Sequence, residues 1–286
     1  MVAVGQLRVV RLSVREVWRH GRPIERAGYA IGVVLTLWGM ALSGVFLASD
    51  RPWGDPLSWG TPGVFGLMFG LTLAAVVWVS TWVRLHDRVR MAVLGALIAA
   101  SALAVGVVSL RAARDGSTLD SVVSTALALI LISILALTIA ALRPGSILRP
   151  DMRLAIGFGL AALGVSVAVM VHGTVTARTS DAQLAYAGVF EPIHAVATHA
   201  VLVLPAMAWL LGFTGWTKLL RSRVIQLAVA GYTLLGVVVG IESFTDTSPF
   251  AAPWYADVAA LVGLAAATLA GGATLFGMAR FPARRG

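Results

Sequence analysis

The 286-residue chain contains no cysteine. Disulfides in outer loops, thiolate catalysis and thiolate metal sites are thereby excluded. Charge is also scarce. Asp, Glu, Lys and Arg make up 12% of the residues, against about 25% in an ordinary soluble domain. Lys218 is the single lysine beside a large excess of arginine, and with abundant Ala, Val and Gly this points to a GC-rich bacterial genome. Acidic side chains are missing from the middle of every long apolar run. Glu16, Glu25, Asp87 and Asp151 fall at one end of the runs, and Asp50, Asp55, Asp115, Asp120, Asp181, Glu191, Glu242, Asp246 and Asp257 at the other. That distribution argues against an ion-coupled transporter with a midplane carboxylate, because intramembrane ionisable groups mark such pathways.

What the chain does have is apolar length. Hydrophobic residues reach 58% and the mean hydropathy is +0.87. A hydrocarbon core is crossed by about 20 apolar residues in helix. Runs of that size recur at 27–48, 63–83, 91–110, 121–142, 154–172, 192–213, 224–241 and 257–278. The expected fold is all-α and polytopic, with about eight transmembrane helices. With the N-terminus assigned to the cytoplasm, 18 of the 22 basic residues fall in cytoplasmic segments and only Arg51, Arg111, Arg114 and Arg178 outside. By the positive-inside rule both termini are expected in the cytoplasm. The net charge of +9 then reflects orientation, not nucleic-acid binding. No cleavable signal peptide is evident, and a bacterial plasma membrane is the expected location, with the lipid bilayer as the first partner.

Arg8, Arg11, Arg15, Arg19, Arg22 and Arg26 recur at helical spacing with apolar residues between them. Residues 1–26 are therefore read as a basic cytoplasmic segment, suited as an amphipathic helix to an anionic leaflet and equally as plain arginine-rich flanking sequence. The rest divides into a four-helix unit over 27–142, a linker over 143–153 that contains two prolines, a second four-helix unit over 154–278, and a tail over 279–286. The halves look alike. "GVFGLMFGLTLAAVVWV" from Gly63 and "GVFEPIHAVATHAVLVL" from Gly188 each precede a basic turn, and each is expected to follow an irregular outer loop of about 15–20 residues. The last spans of the two units start at Asp120 and Asp257, where an anion favours a helix N-terminus. An even number of helices per copy gives two parallel repeats related about the membrane normal.

Histidine carries the functional signal. His20 and His86 sit among cytoplasmic arginines, whereas His172, His194 and His199 converge on the outer end of the second half, at the depth of Glu191 and Glu242. Glu191 and His194 are i and i+3, about 60° apart on a helix, so the carboxylate can orient the imidazole. His194 and His199 are five apart, about 140° around the axis, and do not readily share one small ion on a straight helix. The readings are headgroup or loop hydrogen bonding, binding of a cofactor or metal by His172, His194 and His199 (a metal by His194 and His199), and acid–base work by Glu191 and Glu242. No strict H-E-x-x-H spacing is present. The tryptophans near span ends, Trp53, Trp59, Trp78, Trp82, Trp216 and Trp254, suit interfacial belts, and Pro205 removes a backbone donor within span six.

With Glu191-x-x-His194 at the outer face, two four-helix halves, and the closing pair "LGVVVGIESFTDTSPFAAPWYADVAALVGLA" from Leu235 to Ala265, the chain resembles heme A synthase, a family of heme-modifying membrane enzymes. The resemblance covers the architecture and, in detail, residues 165–270. It implies heme as cofactor, His194 as an axial ligand, and an oxidoreductase or heme-binding relative. The chain departs from the family in three places. No histidine lies between Asp257 and Ala267, none lies in the first-half copy Phe65 to Leu73, and the loop cysteines are absent. A second axial ligand would then come from His172, His199, Met170 or water. Two other classes stay open: a carrier of hydrophobic small molecules that uses the cavity between the halves, and a hydrolase holding zinc or copper on His172 and His194 with Glu191 or Glu242 as base.

Overall fold

The computed structural model describes residues 16, 18–49, 59–113, 120–143, 148–176, 180–245 and 253–280; the side chains of 120, 176 and 180–191 fall outside that description. Most of the expected basic segment, residues 1–15 and 17, and all of the tail from 281 also lie outside the described residues. Eight long helices follow in order: α1 Pro23–Leu47, α2 Gly60–Ser80, α3 Asp87–Ala113, α4 Asp120–Leu142, α5 Pro150–Thr176, α6 Ser180–Leu211, α7 Lys218–Phe244 and α8 Trp254–Arg280. Each contains a stretch long and apolar enough to cross a membrane, and no β-strand occurs among the described residues. The eight-helix, all-α expectation holds. Most helices run several residues past the apolar windows, so that Arg22, Arg149 and Lys218 stand at helix starts, where long cationic side chains reach the headgroup region.

The helix starts follow local rules. Pro23 stands at the first helical position of α1, where no amide donor is needed. The Glu25 carboxylate accepts from the Arg22 backbone N–H at 2.9 Å, which satisfies one of the donors orphaned at a helix N-terminus. Thr217 caps α7, its Oγ1 accepting from the Leu220 N–H at 3.3 Å. Asp257 lies in the first turn of α8, where it acts on the helix dipole from inside rather than as a cap.

The element before span six differs from expectation. An irregular outer loop was expected before this span, but α6 begins at Ser180, well before the apolar run 192–213 read from the sequence. "SDAQLAYAGVF" is rich in Ala and Leu, good helix formers, and opens with Ser180 and Asp181, residue types that favour a helix N-terminus. The polar residues of this segment do not make it irregular.

The chain forms two compact units. One holds Arg22–Ala140 with Gly164–Gly188; the other holds Ala141–Leu163 and Val189–Gly286, with the described part of Met1–Gly21. In the first, α1 and α2 approach until backbones touch: a Cβ added to Gly66 would lie 2.7 Å from Gly39 Cα and 3.0 Å from the Leu35 carbonyl oxygen. In the second, α7 and α8 meet the same way, a Cβ on Gly231 falling 2.6 Å from the Gly263 carbonyl oxygen. Apolar lipid gives helices little hydrophobic reason to associate, so close backbone packing through small residues takes that role. Large apolar side chains on the far faces, such as Leu37, Leu47, Leu261 and Leu269, stay exposed, as lipid-facing positions do.

Candidate functional site

All five histidines are described, and they separate by burial. His20, His86, His172 and His199 are exposed; His194 is 6% exposed. His194 heads a stripe on α6 that continues through Ala197, Thr198, Val201, Leu204, Ala208 and Leu211, all buried. The three- and four-residue steps place these on one face of the helix. At Val201 that face meets α5: a Cβ added to Gly159 would lie 2.9 Å from Val201 Cα. The imidazole thus belongs to the packed face of a membrane-length helix, seven residues, or about 10 Å of rise, from this contact.

His199 faces the other way. Its Nδ1 lies 2.8 Å from the Ala195 carbonyl oxygen. A carbonyl only accepts, so Nδ1 carries the proton and Nε2 of the neutral ring keeps its lone pair. His194 and His199 therefore do not converge, in keeping with the five-residue spacing. His172 lies on the part of α5 that belongs to the other compact unit. Glu191 is on α6, its side chain among those not described. Glu242 is half-buried near the end of α7. Among the described residues no group of three or more His, Asp or Glu side chains is arranged to hold a metal ion. The arrangement offers one enclosed imidazole and, on the same helix, one exposed imidazole with a free nitrogen.

Sequence reasoning missed a second kind of polar centre, at the basic end of the helices. Glu25 and Arg90 are both buried, at 2% and 3% exposure, and Arg90 Nη1 donates to Glu25 Oε1 at 3.0 Å. Arg90 also donates to the Ser80 carbonyl oxygen at 2.8 Å and to that of Val83 at 2.8 Å. One guanidinium thus ties the start of α1 to the start of α3 and donates to carbonyls at and just beyond the end of α2. In the other unit Arg149 Nη2 donates to the Ala208 carbonyl oxygen at 2.6 Å, near the end of α6. A signal was available: Arg-Pro opens both α1 and α5, with a carboxylate in the first turn of each helix, Glu25 and Asp151. No protein-family model matches the chain, and neither a curated protein nor a solved structure matches it.

Proposed function

We propose that this protein handles heme in the membrane, as an oxidoreductase or a heme-binding relative of one, with His194 as the axial ligand. The observation that carries the reading is the burial of His194, alone among five histidines, on the packed face of a membrane-length helix. An imidazole is expensive in such a place and is retained chiefly for function. The resemblance of Glu191-x-x-His194 to the heme A synthase motif adds to it.

The donor set fits one axial bond. His194 supplies a ring nitrogen, while His199 on the same helix is exposed and turned away, so the helix does not present two ligands to one iron. Bound heme would supply one-electron and oxygen chemistry. On this chain, Glu191 three residues before His194 would hold the ring orientation through its second nitrogen, Glu242 would take or give a proton at its carboxylate, and the apolar face below His194 would exclude water.

The test is an absorption spectrum of the detergent-purified protein from heme-replete cells, with and without dithionite. The expected result is a Soret band with single-histidine, high-spin character that is lost in His194→Ala and kept in His199→Ala. His194→Gly with added imidazole should restore it. A colourless wild-type protein overturns the proposal, and a colourless protein that carries stoichiometric zinc points to the hydrolase class instead.

A further inference from the structure

His199 is the exposed member of the α6 pair, and it is exposed where water is scarce. Seven residues separate it from the start of the apolar run 192–213, a rise of about 10 Å. Its Nδ1 lies 2.8 Å from the Ala195 carbonyl oxygen, so the ring folds back over the preceding turn. Measured along the helix, the imidazole stands about 5–10 Å inside the run. A side chain exposed at that depth meets hydrocarbon. The face around it is apolar. Pro192 and Val203 are exposed on the same side, and Ala195 and Val196 are half-buried beside it. Steps of three and four residues join these positions into one stripe, turned away from the packed stripe of His194, Val201 and Leu204.

Exposed hydroxyls in the other apolar runs turn back on their own helix. Thr125 and Thr233 each donate to the carbonyl oxygen four residues earlier, at 2.8 Å. The His199 donor is spent in the same way, but the ring has a second nitrogen. With the proton on Nδ1, Nε2 of the neutral imidazole carries a lone pair, and it makes no hydrogen bond among the described residues. The helix thus fixes the tautomer and leaves one acceptor at a surface whose solvent supplies no donor. Such a group is costly unless something pairs with it. Ionisable side chains at membrane depth mark ligand sites for this reason.

We propose that His199 Nε2 is the acceptor of a binding site for a hydroxyl group carried into the bilayer by an apolar molecule. Only a donor fits, because the single proton of the ring is already held by the Ala195 carbonyl; a ketone, ester or phosphodiester oxygen would meet the lone pair with another. Two kinds of membrane molecule bring such a donor, a hydroquinone and a lipid with a free alcohol. The apolar stripe on either side of the imidazole suits the body of either one. The site is separate from His194 and stands whether or not heme binds there.

The experiment is thermal unfolding of the full chain in lipid nanodiscs, titrated with decylhydroquinone or dioctanoylglycerol, and with the methyl ether of each. The wild type should show a saturable rise in melting temperature with one of the two hydroxyl compounds, at a concentration about tenfold below that needed of its ether. Decylhydroquinone in that role identifies a hydroquinone as the source; dioctanoylglycerol identifies an alcohol-bearing lipid. His199→Leu should bring the active compound to the level of its ether, while His199→Gln, whose amide oxygen also accepts, should keep part of the difference. Thr233→Val, which removes an exposed hydroxyl from another apolar run, should leave the difference unchanged. Hydroxyl compounds that act no better than their ethers on the wild type, or a hydroxyl preference kept in full by His199→Leu, overturn the proposal.

Discussion

A carboxylate as enclosed as Glu25 persists at the end of a membrane bundle because Arg90 and the Arg22 backbone N–H both reach it. Removing one member of such a pair leaves a buried charge, at a cost of about 3–5 kcal/mol. Arg90→Leu is therefore expected to be the most damaging substitution at this end, since it also takes a donor from the Val83 carbonyl and leaves that of Ser80 only the Val83 N–H. Glu25→Gln also leaves a buried charge, on Arg90, but keeps the shape and an acceptor oxygen and should fall at the low end of that range, about 3 kcal/mol. Thermal unfolding in detergent ranks them; Arg90→Leu melting within about 2 °C of the wild type would mean the pair is not structural. At the residue scale the sequence hid depth and the pairing of Glu25 with Arg90. Glu25 was readable as a charge on the basic side, but charge counting distinguishes sides and not burial. For the same reason the separation of His194 from His199 was legible as an angle, while the burial of one of them was not.

At the scale of elements, glycine spacing decides which helices touch. A Cβ on Gly39 would fall 2.7 Å from the Gly63 carbonyl oxygen, closer than atoms tolerate, so α1 and α2 would have to part. Gly39→Ala is expected to cost about 1–3 kcal/mol. Gly95→Ala in α3 meets nothing within 4 Å and should be neutral or stabilising by up to about 1 kcal/mol through helix propensity. The two melting shifts should have opposite signs, and an equal rise from both would show that helix propensity, not close approach, governs these sites. Apolar runs made every spanning helix legible, because a bilayer demands length and hydrophobicity. The early start of α6 was not, because polar residues outside the hydrocarbon leave helix and loop equally open, and local propensity then decides.

At the scale of the whole molecule, an even number of crossings would put both termini on one side, and the arginine distribution predicts that this side is the cytoplasm. A fluorescent protein fused after Gly286 should fluoresce in cells, and an alkaline phosphatase fused in the loop after Arg114 should be active. The reverse pattern would refute the orientation.

Sequence by itself determined the membrane class, the number of crossings and the distribution of charge between their ends. Each follows from the cost of placing polar groups in hydrocarbon, which is paid residue by residue and needs no partner helix. Tertiary structure alone decided that His194 is the enclosed imidazole, that Glu25 and Arg90 share one buried pair, and that Arg149 reaches the Ala208 carbonyl of α6. Those are properties of pairs of helices, and only packing brings pairs together.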